Sequence, residues 1–323
     1  MPNQERTKLP AADSALTDPL PSWNDGAAKK AVIAYVERVI RENSIDFVPA
    51  PERIAVFDND GTLWPEAPIP FQLAFVFDEL KRRIDSEPAL AADPMVKAAL
   101  AGDVAPLLAG AHHDGLMQVL DLTHDGMTTT EFAANVTGWL KAARHPRWNK
   151  PYDHLTYQPM QELLAYLRAA SFKTFIVSGG GADFMRVWSE QVYGIPSEQV
   201  VGSTARTKLE MLDGRPVLRK TMDYAFVDDK EGKPVGIHQM IGRRPIVCVG
   251  NSDNDQPMLE YTTIHNQRPS FGMIIHHTDA ERECDYGTHQ PPSGTLFTAL
   301  AAAQGHGWTV VDMRSDWRRV FAD

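Results

Sequence analysis

The stretch 54-IAVFDNDGTLW-64 joins a short apolar run directly to two aspartates, a glycine and a threonine. The apolar run has the composition of a buried strand, which delivers Asp58 and Asp60 together at its carboxyl end. Gly61 and Thr62 allow the chain to turn sharply just beyond them. Because aspartate, asparagine and glycine are also typical of ordinary turns, the meaning of this stretch depends on the rest of the chain.

Three further apolar runs read as buried strands, and helical patterns separate them. The four predicted strands are 54–58, 173–180, 245–250 and 271–277. Strands that alternate with helices predict an α/β fold with a doubly wound, Rossmann-like parallel sheet, whose ligands bind beyond the carboxyl ends of the strands. Asp58, Ser178 and the segment 250-GNSDND-255 follow three of these strands, so we expect them to meet at one crevice.

The chain divides into a core and an insertion. We assign 27–63 and 155–323 to the α/β core and 64–154 to a helical cap inserted after the first strand. The clearest helical patterns of the cap are 72–84, 95–102 and 131–143. An Asp-Gly turn between two extended runs predicts a small β-hairpin flap at about 200–232. Residues 1–26, rich in proline and polar residues, are expected to form a loosely ordered arm.

Composition narrows the classes of partner. The 32 basic and 42 acidic residues give a formal charge of −10, which argues against nucleic acid as a partner. No window is long and apolar enough for a membrane span, and the first residues lack the pattern of a secretory signal. We therefore predict a cytoplasmic protein with no membrane partner, although removal of an export signal stays an alternative. Cys248 and Cys284 are predicted to be free thiols.

Four elements occur in a fixed order along the chain: Asp58-x-Asp60-x-Thr62, Ser178 at a strand end, a lysine, and a terminal acidic motif. This set resembles the haloacid dehalogenase superfamily. The stretches 178-SGGG-181 and 250-GNSDNDQPML-259 look most like its phosphoserine phosphatase group. The resemblance covers the core from about Ile54 to Leu63 and from Leu155 to His277, whereas the insertion matches only in position, as a cap domain.

The resemblance implies a magnesium-dependent phosphomonoesterase that hydrolyses a small phosphorylated metabolite through an aspartyl-phosphate. Asp58 would be the nucleophile, and Asp60 would protonate the leaving oxygen and later activate water. Ser178 and Gly179 would hold phosphate oxygens. For the lysine the resemblance favours Lys233, with Lys208 and Lys220 as the alternatives. The sequence does not predict an oligomeric state.

The implied magnesium ligands are Asp58, the backbone carbonyl of Asp60, Asn251 and Asp255. Asn251 departs from the family pattern, which normally has aspartate there, and Asp253 is an alternative source of the missing charge. Glu66 is similar to a glutamate that meets the substrate's ammonium group in phosphoserine phosphatases, although a helix first-turn acid is an equally good interpretation.

Two other functions remain open on this fold. A 2-haloacid dehalogenase displaces halide and needs neither magnesium nor the acid at Asp60, so Asp60 favours the phosphatase. A non-catalytic binding protein would be expected to lose Asp58, Asp60 or Lys233, and all three are present. A metal site at His276 and His277 is not favoured, because adjacent residues of a strand point to opposite faces.

Overall fold

The computed structural model describes residues 18–109, 114–287 and 294–322. Its sheet has seven strands in the order β4-β3-β2-β1-β5-β6-β7. The strands are β1 Ile54–Phe57, β2 Lys173–Gly181, β3 Val200–Leu212, β4 Arg215–Phe226, β5 Val247–Gly250, β6 Phe271–His276 and β7 Thr309–Asp312. Neighbouring strands are parallel except β3 and β4, which form an antiparallel hairpin.

Helices cover both faces of this sheet. They are α1 Ala27–Ile40, α2 Phe71–Ser86, α3 Pro94–Ala101, α4 Asp114–His124, α5 Thr129–Ala142, α6 Gln158–Ala169, α7 Ala182–Arg186, α8 Ser189–Tyr193, α9 Gly232–Gly236, α10 Gln256–Thr263, α11 Thr298–His306 and α12 Met313–Asp316. The alternation of side chains along β1 explains the two layers. Ala55 and Phe57 join the core that contains α1 and α6, whereas Ile54 and Val56 join the core that contains α10 and α11. The predicted doubly wound α/β fold is confirmed.

The register brings the predicted crevice residues to one edge of the sheet. Phe57, the last residue of β1, lies opposite Ile176 of β2 and Val249 of β5. The next residue, Asp58, donates its peptide N–H to the carbonyl of Val249 at 3.0 Å. Because the three strands run parallel, Asp58, the end of β2 and the loop after β5 emerge side by side.

The inserted segment between β1 and β2 contains α2 to α5. Helix α5 begins with a capping box, in which Thr128 and Glu131 satisfy each other's backbone N–H groups. The segment also contacts the β3–β4 hairpin, since Lys220 and Met127 are joined by a backbone hydrogen bond of 2.8 Å. The predicted flap is therefore the outer edge of the main sheet, and it contacts the cap.

Two features differ from the sequence-based expectations. The N-terminal arm is not loosely ordered over residues 18–26, where Leu20 and Trp23 are fully buried, while residues 1–17 lie outside the described part. Strand β7 and helix α11 were not predicted, and β7 extends the sheet beyond β6.

Over the described ranges, no helix combines the length and the apolar character that crossing a bilayer requires.

Candidate active site

The loop after β1 places two carboxylates at the floor of a cavity between core and cap. Gly61 makes the turn possible, with φ of +75° and no space for a side chain, because an added Cβ would lie 2.1 Å from Asn251 Nδ2. The ring nitrogen Nε2 of His277 lies 2.7 Å from the Gly61 carbonyl and fixes the turn from behind. Asp58 and Asp60 both line the cavity.

Lys233 connects the loop after β1 with the loop after β5. Its ammonium lies 2.8 Å from Asp58 Oδ1, 2.5 Å from Asp255 Oδ1 and 3.3 Å from the carbonyl of Val177. The side chain is 1% exposed, so burial would lower its pKa, but the charges of Asp255 and Asp58 raise the pKa above its ordinary value. Lys233 is therefore a fixed cation beside the predicted nucleophile.

The two alternative lysines lie elsewhere. Lys220 forms an ion pair with Asp183 on the cap-facing side of the hairpin, and Lys208 is exposed on β3. Neither contacts Asp58 in the structure. Position in the fold thus favours Lys233 among the three lysines that the sequence offered.

Asp60 is oriented by the cap-proximal Trp64. The indole N–H of Trp64 donates to Asp60 Oδ1 at 2.6 Å, and the Trp64 ring stacks on Trp188 with centroids 4.2 Å apart. Burial raises the pKa of Asp60 to about 6. The other oxygen, Oδ2, faces the end of β2, since a Cβ added at Gly180 would lie 3.8 Å from it. Asp60 is thus held where a carboxyl group can exchange a proton with a bound ligand.

The end of β2 contributes a compact glycine-rich segment to the cavity wall. Ser178 Oγ accepts a hydrogen bond from the N–H of Gly180 at 3.2 Å, and the N–H of Gly181 donates to Gln72 Oε1 at 2.7 Å. Ser178 and Gly179 line the cavity next to Asp58, as the sequence placed them. The small residues allow a ligand to approach the backbone closely.

Asn251 is the centre of a buried polar network. Its Oδ1 accepts a hydrogen bond from the hydroxyl of Thr62 at 2.9 Å. Its Nδ2 donates to Glu66 Oε1 at 2.8 Å and to the hydroxyl of Tyr286 at 2.9 Å, and that hydroxyl in turn donates to Glu66. One lone pair of Oδ1 stays available to a metal, because an amide oxygen can accept two interactions.

The other predicted acids of this region have different partners. Asp255 Oδ1 accepts from Lys233, and its Oδ2 accepts from the backbone N–H groups of Asn251 and Ser252 at 2.9 and 3.0 Å. The second lone pair of Asp255 Oδ1 stays available to a metal, because a carboxylate oxygen can accept two interactions. Asp253 accepts from backbone N–H groups of Phe297 and Ala299, so its carboxylate holds the segment that leads into α11.

Glu66 is buried at 3% exposure and lines the cavity. Helix α2 begins at Phe71, so Glu66 is not an acid of its first turn. The two hydrogen bonds that reach its Oε1 come from neutral groups, the Asn251 amide and the Tyr286 hydroxyl. This arrangement ties the start of the cap to the loop after β5.

Sequence reasoning missed several residues of the site. Tyr286 was not considered because it lies far along the chain from Glu66 and Asn251. The pair Asp228 and Asp229 precedes Lys233, and this local clustering was an available signal. Asp229 lines the cavity. Asp228 is fully buried, and burial raises the pKa of its carboxyl group to about 7.

A buried ion pair supports the loop after β1 from the far side. His277 Nδ1 lies 2.7 Å from Glu283 Oε2, and both side chains are fully buried. Burial would lower the pKa of His277, but the Glu283 carboxylate raises it above its ordinary value. In the same way, burial would raise the pKa of Glu283, but His277 lowers it. Through His277 Nε2 this pair contacts the Gly61 carbonyl, so it positions the turn that carries Asp60.

We expect this pair to shape the pH dependence of stability. Because the pKa of His277 is raised, its contribution is complete below its unfolded pKa of 6.5 and is lost as pH rises through the folded value. Because the pKa of Glu283 is lowered, its contribution is complete above its unfolded pKa of 4.5 and is lost as pH falls through the folded value. The pair thus stabilises most between these two values.

The measurement is urea denaturation from about pH 5 to about pH 9 in EDTA, for the wild type and His277→Gln. The difference in free energy of unfolding between the two proteins should shrink as pH rises above about 6.5. A difference that stays constant with pH would show that His277 is not charged in the folded protein.

The cavity has a volume of about 250 Å³ and a floor rich in carboxyl groups. Four carboxyl groups line it, on Asp58, Asp60, Glu66 and Asp229, while Lys233 is the one cation among the described lining residues. Since Lys233 already pairs with Asp58 and Asp255, the cavity has surplus acidic oxygens. Such a site favours cations, and an anionic ligand would need a cation to accompany it.

The chain is similar to known proteins in sequence and in fold. The family model described as haloacid dehalogenase-like hydrolase matches residues 55–260. No curated protein matches the chain. A conserved protein of unknown function from Anaerococcus prevotii DSM 20548 is similar in structure, with a TM-score of 0.53, 14% identity, and coverage of 82% of this chain and 89% of that one.

Two further solved structures show weaker similarity. A protein of unknown function from Bordetella pertussis Tohama I has a TM-score of 0.48 and 18% identity, with coverage of 81% of this chain and 99% of that chain. A probable phosphoserine phosphatase from Vibrio cholerae has a TM-score of 0.38 and 16% identity, with coverage of 69% and 55%. The family match spans most of the chain and includes Asp58, Ser178 and Asn251 at strand ends and Lys233 in α9. This chain therefore belongs to the haloacid dehalogenase-like hydrolase family.

Proposed function

We propose that the protein is a magnesium-dependent phosphatase that hydrolyses a small phosphate monoester through an aspartyl-phosphate. The observation that carries this proposal is the position of Lys233 between Asp58 and Asp255, with Asp60 on the same loop as Asp58 and facing the same cavity. A nucleophile, a proton donor and a fixed cation then surround one point at the carboxyl edge of the sheet.

The reaction follows from these positions. A carboxylate oxygen of Asp58 attacks phosphorus, the bond to the leaving oxygen breaks, and that oxygen takes a proton from Asp60. Asp60 then removes a proton from a water molecule, which attacks the phosphorus of the aspartyl-phosphate and returns Asp58 to its carboxylate form. Lys233 keeps the Asp58 carboxylate in place, and Ser178 with the backbone around Gly179 orients phosphate oxygens.

The residues present fit a magnesium ion. Magnesium prefers oxygen ligands, and Asp58 and Asp60, which line the cavity, would offer a carboxylate and a backbone carbonyl. Asn251 Oδ1 would add its second lone pair, although Asn251 is 1% exposed and is not among the residues that line the cavity. Asp255 stays a predicted ligand, although both of its oxygens accept hydrogen bonds. When bound, the ion would neutralise phosphate oxygens and so favour attack by an anionic nucleophile.

We expect a change at Asn251 to alter the magnesium requirement. A carboxylate attracts a dication more strongly than an amide does, but in Asn251→Asp it would also face Glu66, which now accepts a hydrogen bond from the Asn251 amide. The double variant Asn251→Asp/Glu66→Gln removes that repulsion. It should lower the magnesium concentration for half-maximal activity roughly tenfold relative to Glu66→Gln alone.

A magnesium titration of phosphatase activity in both proteins makes the comparison. The single variant Glu66→Gln is the matched background, because it differs from the double variant only at residue 251. If the two titrations coincide, Asn251 does not contact the metal, and Asp253 or Asp255 becomes the better candidate.

The general test is a screen of phosphate monoesters with and without magnesium, with 2-chloro acids in parallel. Magnesium-dependent release of phosphate supports the proposal, and release of chloride without a metal would favour the dehalogenase alternative. Binding without turnover would indicate the non-catalytic alternative. Phosphoserine belongs in the screen, because the sequence predicts Glu66 as a contact for a substrate ammonium group.

A further inference from the structure

The cavity has two chemically different ends. The floor carries Asp58, Asp60, Ser178 and Lys233, where the proposed reaction takes place. The opposite wall belongs to the cap and is apolar. Its side chains are Leu73, Leu108, Leu116, Met117 and Leu120.

This wall keeps apolar surface accessible. Leu73 lies on α2, and Leu116, Met117 and Leu120 lie on α4. Leu73, Leu116 and Met117 are only half-buried. Apolar side chains that line a concave site and are not fully packed gain free energy when an apolar ligand covers them.

The apolar wall has few polar side chains that could bind a charged group of a ligand. Among the described cap residues that line the cavity, Gln72 and Glu66 are the polar ones. Gln72 Oε1 accepts from Gly181, and Glu66 Oε1 accepts from Asn251 and Tyr286. An ammonium or carboxylate placed against the leucines would lose its hydration without a full set of replacement contacts, which is unfavourable.

We infer that the substrate is a phosphate monoester of a small, uncharged, apolar alcohol. Its carbon skeleton lies against the apolar wall of the cap, at the half-buried side chains of Leu73, Leu116 and Met117. This inference rests on the proposed phosphatase function and adds the class of leaving group. The volume of about 250 Å³ lies just below the range for ligand pockets, roughly 300–1,000 Å³, so a short alkyl chain or a single ring fits the cavity.

The test is a homologous series of n-alkyl phosphates, from methyl to hexyl, with magnesium. Their leaving groups have nearly the same acidity, so differences in kcat/KM report contacts with the carbon chain and not intrinsic reactivity. Each methylene that the wall covers should raise kcat/KM about fourfold until the cavity is full. Phosphoserine should be a poorer substrate than propyl phosphate, because its two charges meet the apolar wall.

A variant of the wall separates this contact from a general effect of size. Met117→Gln keeps the length of the side chain but places an amide on the wall, and it should flatten the rise of kcat/KM with chain length. Met127→Gln is the matched control, because Met127 is a half-buried methionine of the same cap that does not line the cavity. This control should keep the wild-type slope.

The outcomes are distinguishable. Hydrolysis of methyl phosphate with a flat or falling series, or a preference for phosphoserine, would overturn the apolar leaving group and leave the proposed phosphatase intact. An equal slope in wild type and Met117→Gln would also overturn it. Absence of turnover for every monoester, with and without magnesium, would overturn the phosphatase proposal itself and the inference with it.

Discussion

Asp58→Asn is expected to lower kcat by roughly a thousandfold or more, because an amide has nearly the same shape as the carboxylate but cannot form the aspartyl-phosphate. The structure indicates that the variant will fold. Lys233 keeps its second partner, Asp255, at 2.5 Å, so no buried charge is left unpaired by the change. Loss of turnover would then reflect lost chemistry and not a lost fold.

The decisive measurement is acid-quench trapping of the phosphorylated protein with a labelled monoester. Wild type should carry label on Asp58, and Asp58→Asn should carry none while still binding inorganic phosphate. Asp312→Asn is the control: Asp312 ends strand β7 at the same edge of the sheet, lies outside the cavity, and caps α12. Wild-type turnover in Asp58→Asn would refute the nucleophile assignment.

The parts of the fold that the sequence predicted share a local signal. Strands β1, β2, β5 and β6 are apolar runs that end abruptly in polar or small residues, and the parallel arrangement follows from the helices between them. Strand β7 has only four residues, Thr309–Asp312, and lies at the outer edge of the sheet next to β6. Strands β1 and β5 are equally short but fully buried, whereas three of the four residues of β7 are only partly buried, so β7 gives a weaker apolar signal in the sequence.

In the site, too, residues next to a recognisable element could be predicted from the sequence, whereas contacts between residues far apart in the chain could not. Asp58 and Asp60 could be predicted because they adjoin a strand, and Lys233 because its Lys-Pro step lies at the start of the short helix α9. The hydrogen-bond partners of Asn251 could not be predicted in this way, because Thr62 and Glu66 are 189 and 185 residues away in sequence. The sequence identified Asn251 as an exception to the family pattern, and the structure adds that its amide joins the cap to the core through Glu66 and Tyr286.

That amide also explains why Glu66 is better understood as part of a network than as an isolated acid. Glu66 Oε1 accepts from two groups that belong to the loop after β5 and to the segment after β6. A network of this kind rigidifies a site when all of its members are satisfied. The carboxyl-rich floor and the apolar wall then have fixed relative positions, which the proposed apolar substrate requires.

The second large effect is expected for Lys233→Met, which removes the cation between Asp58 and Asp255. Both carboxylates would then lie in a buried site without their shared partner, and breaking a buried ion pair in this way costs about 3–5 kcal/mol. The free energy of unfolding, measured by urea denaturation in EDTA, should fall by that amount. Phosphatase activity should also be lost, because Asp58 is no longer held in place.

A double variant separates the ion pair from simple loss of packing. In Lys233→Met/Asp255→Asn one of the two unpaired charges is gone, so the double variant should be more stable than the sum of the two single losses predicts. Lys208→Met is the matched control: its side chain is exposed on β3, so stability should change by no more than about 0.5 kcal/mol and activity should persist. Strict additivity in the double variant would mean that Lys233 and Asp255 are not coupled, and activity that depends on Lys208 in place of Lys233 would move the catalytic lysine to the hairpin.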